Sequence, residues 1–142
     1  MTLLLSGDLA RAIRRHGEST YPEEGAGLIL GKVEGDRRRA LQLRTAANRS
    51  PAEVRRRRYF VDPREMMQAE AEADDQGLEI LGVFHSHPDH PASPSETDRE
   101  WALPWYVYVI TSVRAGRAEE STGWRLAEDR SEFVPVMIEI GA

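Results

Sequence analysis

The sequence of 142 residues contains no cysteine. This absence excludes disulfide scaffolds, structural zinc sites of the cysteine type, cysteine-ligated iron–sulfur clusters and thiol catalysis. Histidine and carboxylate are the strong metal ligands that remain. The lack of cysteine also favours a cytoplasmic location. No apolar run approaches the length of a membrane span, and Leu3–Leu5 is too short for a signal-peptide core, so we expect no membrane partner.

Lysine is nearly absent too, because Lys32 is the only one and arginine supplies the other positive charges. The formal net charge of −5 argues against a nucleic-acid partner, since phosphate binding needs a basic face. The clearest local exception is Arg55–Arg58, which lies in a polar segment, residues 48–59, that we expect to be a mobile surface loop. A solvated surface is the favoured interpretation of this run, and docking of an acidic partner is the other.

The length suits one domain, residues 1–142, with no need for disulfide cross-links. Predicted helices alternate with predicted strands at first, and the C-terminal strands follow one another directly. This order predicts an α/β fold with a mixed β-sheet flanked by helices. Apolar patterns predict strands over 2–5, 25–33, 40–46, 78–86, 105–112, 121–127 and 133–140, and end signals predict helices from 6 or 8 to 17, from 62 to 77 and from 94 to 103.

Two histidines stand at the far end of the predicted strand over residues 78–86. His85 and His87 are two residues apart, and in a strand such residues project to the same face. Asp98 follows at the start of a predicted helix and can add a carboxylate. Two imidazole nitrogens and one carboxylate oxygen, with no fourth protein ligand, form the ligand set of a catalytic zinc site with an open position.

The residues around Asp98 have a second interpretation. Ser95 and Asp98 have the spacing of a capping box, in which both would only satisfy N–H groups at the helix start. Glu96 is a rival carboxylate on a different face of the same turn. Ser95 is either an ordinary helix cap or a hydroxyl that donates to the oxygen of a polarised carbonyl.

Hydrolysis at such a site needs a carboxylate that is not a metal ligand and that moves the proton. Glu23 and Glu24 are the candidates, and their spacing alone does not choose between them. A solvated acidic turn is the other interpretation of this pair. His16, on the first predicted helix, is expected to be an ordinary, partly exposed histidine, and Asp89 and His90 are expected to be surface residues of a loop.

The segment His85-Ser86-His87-Pro88, followed by Ser95-x-x-Asp98, resembles the signature of the JAMM (MPN-plus) metalloproteases, of the small prokaryotic type. The upstream segment Tyr21–Leu28 resembles the family's Glu-x-Cys-Gly segment, with Ala26 in the cysteine position. This register makes Glu24 the match for the family's general acid/base. Asn48, Phe60-Val61-Asp62-Pro63 and Gly82-Val83-Phe84 also resemble the small prokaryotic members.

The resemblance implies a zinc ion held by His85, His87 and Asp98, with Glu24 and Ser95 as catalytic residues. It implies hydrolysis by metal-activated water of the isopeptide or peptide bond after the C-terminal Gly-Gly of a ubiquitin-like or sulfur-carrier protein. The fold it implies is similar to that of cytidine deaminases. The alternative function is a non-catalytic protein-binding module of the MPN type, which predicts an incomplete metal set.

Overall fold

Seven β-strands form one mixed sheet that closes into a barrel in the computed structural model, which describes residues 1–141. The strand order around the barrel is β1-β3-β2-β4-β5-β6-β7. The strands are β1 (Thr2–Ser6), β2 (Ala26–Glu34), β3 (Arg37–Ala46), β4 (Glu79–Pro88), β5 (Val107–Arg114), β6 (Arg117–Leu126) and β7 (Phe133–Gly141), and the helices are α1 (Gly7–Thr20), α2 (Pro63–Asp75) and α3 (Glu96–Trp101).

Strand β1 closes the barrel because it pairs in parallel with both β3 and β7. The central strand β4 pairs in antiparallel with β2 and in parallel with β5. The predicted mixed sheet with helices is therefore confirmed, whereas its closure is a feature that the sequence patterns do not predict. Within residues 1–141, no helix is both long and apolar enough to cross a membrane.

The sheet is covered on both faces, and the helices lie on opposite sides of it. Ile13 of α1 packs with Leu3 and Phe84 in one buried cluster. On the other face, Ala69 of α2 packs with Val83 in a second cluster. Because neighbouring residues of β4 point into different clusters, both kinds of position must be apolar. This explains the unbroken apolar run that leads into the histidines.

Helix α1 extends past the end that the sequence predicts at Gly17. Ser6 caps its start by accepting a hydrogen bond from the backbone N–H of Leu9 at 3.1 Å, and the helix continues to Thr20. A Cβ atom on Gly17 would stand 3.1 Å from the Cβ of Ser86. The glycine thus permits close packing of the helix on β4, and its role is not that of a helix terminator.

Helix α2 agrees with its predicted ends. Asp62 caps it by accepting a hydrogen bond from the backbone N–H of Arg64 at 2.9 Å, and Pro63 is its first residue. Gly77, with a φ of +70°, follows directly after the C-terminal cap. A left-handed residue just past the last turn is the common way to end a helix. The next residues then enter β4.

Candidate metal centre

Strand β4 carries both histidines near its C-terminal end. His85 lies between Ala26 of β2 and Ile110 of β5, and His87 follows two residues later in the same strand. Both side chains are buried, and their Nε2 atoms are 3.2 Å apart. The predicted convergence of the two imidazoles on one face is present.

Asp98 of α3 reaches both rings with its two oxygens. Its Oδ1 lies 3.2 Å from Nε2 of His85, and its Oδ2 lies 3.1 Å from Nε2 of His87. The same carboxylate accepts a hydrogen bond from the backbone N–H of Ser95 at 2.9 Å, and the Ser95 hydroxyl accepts one from the N–H of Asp98 at 3.0 Å. The capping box and the contact with the histidines therefore coexist, and the cap orients the carboxylate.

The spacing of these three side chains matches what one small cation needs. With bonds of about 2.0–2.1 Å, the ligands of a tetrahedral zinc ion lie roughly 3.3 Å apart. Nδ1 of His87 lies 2.9 Å from the carbonyl oxygen of Pro91, to which it can donate. That bond leaves a lone pair on Nε2, the atom that faces the other ligands. Two ring nitrogens in such proximity, both aimed at a carboxylate, fit a shared metal ion.

Glu24 completes the group. Single ligand atoms of Glu24, His85, His87 and Asp98 all lie within 4.8 Å of one another, and this set could hold a metal ion. The Glu24 side chain is 4% exposed, and its Oε1 has no hydrogen-bond partner among the described residues. Glu23 is only half-buried. Of the two neighbouring glutamates, it is therefore Glu24 that lies in the buried group.

The charges of this group depend on burial and on mutual contact. Burial raises the pKa of Glu24 to about 8; the charge of Asp98 adds to this effect, while that of His87 opposes it. Burial alone would also raise the pKa of Asp98, but charge and hydrogen-bond contacts with His85 and His87 hold it well below its usual range. Asp98 is therefore an ionised carboxylate, and Glu24 is a buried carboxyl that holds its proton at neutral pH without a cation nearby.

Two neighbours of the histidines have positions that the sequence reasoning did not anticipate. The hydroxyl of Ser86 accepts a hydrogen bond from the backbone N–H of Gly25 at 2.8 Å, which joins β4 to the residue after Glu24. The ring of Tyr59 lies against that of His85, with centroids 4.5 Å apart and planes tilted by 33°. The position of Ser86, a small polar residue between the two histidines, is a local feature from which its role could have been predicted. No local feature of the sequence indicates that Tyr59 contacts His85.

Asn48 joins the segment after β3 to the candidate centre. Its side-chain amide forms four hydrogen bonds, all with backbone groups, which uses both N–H donors and both acceptor positions of the oxygen. These bonds connect both ends of the segment of residues 48–59, which the sequence predicts to be a mobile loop, to the residues around them. The Nδ2 atom donates to the carbonyl oxygens of Glu24 and Arg58, each at 3.0 Å, and Oδ1 accepts from the N–H groups of Ser50 at 3.0 Å and Phe60 at 3.2 Å.

The remaining sequence candidates lie outside the group. Glu96 is exposed and pairs with Arg99, so it is not a ligand in this arrangement. Asp89 and His90 are exposed loop residues, as expected. His16 packs edge-on against Phe84 at the end of α1 and belongs to no metal-binding cluster of the described residues.

Comparison with protein families agrees with this geometry. The model that describes prokaryotic homologs of the JAB domain matches residues 6–127. The chain is a prokaryotic JAB-domain protein. The matched range contains all four residues of the buried group, and it confirms the resemblance to the small prokaryotic members that the motifs indicate.

Similar proteins cover nearly the whole of this JAB-domain protein. It is 32% identical over 141 residues to the desampylase of Pyrococcus furiosus, and the aligned region covers 97% of this chain and 91% of the desampylase. It is 30% identical over 118 residues to the probable TtuB-protein conjugate cleaving protease of Thermus thermophilus, covering 81% and 75% of the two chains.

A solved structure from Salinibacter ruber has 45% identity and a TM-score of 0.74, with 98% of this chain and 92% of that chain covered. The cytidine-deaminase-like fold and the single-domain extent of residues 1–142 stay predictions.

Proposed function

We propose that this JAB-domain protein is a zinc metalloprotease that cleaves the isopeptide or peptide bond after the C-terminal Gly-Gly of a ubiquitin-like or sulfur-carrier protein. The observation that carries the proposal is the buried convergence of two imidazole nitrogens and one carboxylate beside a second carboxyl, whose Oε1 has no hydrogen-bond partner among the described residues. The relative from Thermus thermophilus is named as a protease that cleaves protein conjugates, which supports the same reaction class.

His85, His87 and Asp98 are proposed to hold the zinc ion. Neutral imidazole and carboxylate form the usual ligand set of catalytic zinc, and a protein that supplies three ligands leaves one position open. A zinc ion bound there would lower the pKa of water and polarise a carbonyl group. The cap on Asp98 and the Pro91 contact of His87 keep these side chains oriented before the metal binds.

Glu24 is proposed to move the proton. Its Oε1 is buried within the same group and has no partner among the described residues, so it is free to accept a proton from water and to return it to the departing amine. The nearby positive charge of a metal would lower its pKa from about 8 toward the range of a working base. A positioned base of this kind contributes ~10²–10⁴-fold to the rate.

Ser95 is proposed to stabilise the oxyanion. Its hydroxyl oxygen accepts the hydrogen bond from Asp98, which leaves the hydroxyl proton available for another acceptor. The residue is exposed at the start of α3, next to the carboxylate that faces the histidines. A single donor to a developing oxyanion is worth about 3–4 kcal/mol, which exceeds the ~1 kcal/mol of a helix cap.

The proposal is tested with Glu24→Gln and the matched control Glu23→Gln. The substrate is a ubiquitin-like carrier protein with its Gly-Gly tail fused to a reporter, and the product is measured by mass spectrometry. Zinc-loaded Glu24→Gln is expected to keep its metal and lose roughly 10²–10⁴-fold in rate, whereas Glu23→Gln stays close to the unsubstituted protein. Zinc content is measured on the same samples.

The alternative, a non-catalytic binding module, makes the opposite prediction. In that case the unsubstituted zinc-loaded protein binds the carrier protein but releases no product, and Glu24→Gln changes nothing. Hydrolysis that survives in Glu24→Gln and disappears in Glu23→Gln would reassign the proton transfer to the neighbouring carboxylate.

A further inference from the structure

The segment after β3 concentrates arginine side chains, and most of them have no partner among residues 1–141. This segment, residues 49–58, is called the arginine loop; it contains five arginines and one acidic residue, Glu53. Arg55 donates to the carbonyl oxygen of Ser50 at 2.7 Å. The other four guanidinium groups form no ion pair or hydrogen bond with any described residue, and they belong to Arg49, Arg56, Arg57 and Arg58.

Two arginines of β3, by contrast, have acidic partners. Arg37 pairs with Glu139 at 3.0 Å and Arg39 pairs with Glu34 at 2.8 Å. In a chain whose net charge is −5, carboxylates are abundant, so four unpaired guanidinium groups in one short segment form a local positive patch. Such a patch attracts an acidic partner and raises its rate of association.

The arginine loop is fixed beside the proposed metal centre. The backbone N–H of Glu24 donates to the carbonyl oxygen of Arg55 at 2.7 Å. Asn48 links the carbonyl oxygens of Glu24 and Arg58 at 3.0 Å each. Tyr59, which directly follows the loop, packs on His85. The positive charge is therefore held at a defined position next to the residues proposed to cleave the bond.

A cavity of about 240 Å³ lies between the arginine loop and helix α3, and Arg49, Arg58, Tyr59, Phe60 and Trp101 are among the residues that line it. Phe60 and Trp101 are 39% and 66% exposed and meet edge to face, with ring centroids 6.0 Å apart. Exposed aromatic rings next to arginine are the composition typical of the strongest contacts in protein interfaces.

We propose that the arginine loop and the Phe60–Trp101 pair form the docking surface for an acidic, partly apolar face of the ubiquitin-like substrate. This inference rests on the proposed function, because it is the substrate protein that must lie beside the metal centre. A protein fits this surface better than a nucleic acid does, since the aromatic pair offers apolar contact and the remainder of the chain would repel a phosphate backbone.

The surface should act on the encounter with the substrate and not on the chemical step. Charges at the rim of an interface change the association rate and its salt dependence. A short peptide that carries only the Gly-Gly tail lacks the acidic face and should not respond to the arginines. The KM for the protein substrate should therefore change, whereas kcat stays the same.

The test compares Arg57→Ala/Arg58→Ala with the control Arg37→Ala/Arg39→Ala, which removes the same charge. The control residues lie at the end of β3 that is far from the metal centre. Ala46, at the near end, pairs with Ala26 beside the centre, and Arg37 is nine residues from Ala46, roughly 30 Å along the strand. The charge-conserving variant Arg57→Lys/Arg58→Lys is the third protein. Each is assayed on a Gly-Gly-tailed carrier protein and on a peptide with the same tail, at low and high salt.

At low salt, the alanine variant of the loop is expected to lose about tenfold in kcat/KM for the protein substrate, through KM, and the loss should shrink at high salt. The lysine variant and the control should stay within about twofold of the unsubstituted protein, and cleavage of the peptide should be unchanged in all of them. Equal losses on the protein and the peptide, or no loss on either, would overturn the docking surface.

Binding separates this inference from the proposed function. If the zinc-loaded protein cleaves neither substrate, the proposed function fails, and the affinity of the carrier protein for each variant then decides the docking surface by itself. An affinity that depends on Arg57 and Arg58 supports it, and an affinity that does not depend on them overturns it. Tighter arginine-dependent binding of a DNA oligonucleotide than of the carrier protein also overturns it.

Discussion

Asn48 is the only asparagine of the chain, and its replacement by alanine gives the most direct test of how the segment after β3 is held. The substitution removes four hydrogen bonds, two of them donated to backbone carbonyls and two accepted from backbone N–H groups. It leaves the apolar clusters of the barrel untouched. Its effect on stability is therefore an effect of hydrogen bonding and of the freedom that the arginine loop gains.

The bonds to Glu24 and Ser50 are partly buried, whereas those to Arg58 and Phe60 are exposed and can be replaced by water. Each partly buried bond contributes about 0.5–1.5 kcal/mol, so Asn48→Ala should lower the free energy of unfolding by about 2 kcal/mol. For a domain of this size that corresponds to a decrease of roughly 5–8 °C in Tm.

Two measurements check this prediction. Denaturant unfolding gives the change in free energy, and limited trypsin digestion with mass spectrometry gives the cleavage after residues 55–58. Digestion there should accelerate more than elsewhere, because the loop opens without global unfolding. Gln42→Ala is the control, since it removes an amide whose contact with Gln76 is exposed. Unfolding and digestion of Asn48→Ala that match those of the control would refute the reasoning.

Asp98→Asn should weaken zinc binding by about 100-fold or more, as measured by chelator competition. The Tm should change little, because the amide oxygen can still accept the hydrogen bond from the N–H of Ser95. An unchanged zinc affinity would mean that Asp98 only caps the helix. In the metal-free protein, the raised pKa of Glu24 makes the free energy of unfolding fall as pH rises from about 4.5 toward 8, because Glu24 ionises at lower pH in the unfolded state than in the folded state. At pH 7, Glu24→Gln should therefore be more stable than the unsubstituted protein by about 3 kcal/mol. Equal urea midpoints at pH 5 and 7 for both proteins would contradict this. Gly27→Ala should destabilise the barrel by about 1–3 kcal/mol, because its Cβ would overlap the buried ring of Phe84; a Tm equal to that of the unsubstituted protein would disprove that close contact.

Much of the candidate site followed from local rules. The period of two in a strand places His85 and His87 on one face, and the cap signals place Asp98 at a helix start. Both features depend on residues within a few positions of one another, so the sequence was sufficient to predict them. The same rules predicted the start of α2 at Asp62 and Pro63, and the family followed from the spacing of these motifs.

Other features depend on contacts between distant segments, and the tertiary structure alone decided them. The barrel closes because β1 pairs with both β3 and β7, and no local pattern encodes that pairing. The burial of Glu24, and not Glu23, beside the histidines depends on how distant segments pack together. Gly17 resembles a helix end in the sequence, but the helix continues past it to Thr20, and the glycine lies close to Ser86 of β4. Periodicity specifies which face of an element is apolar, whereas the neighbours of a side chain are set by how the elements meet.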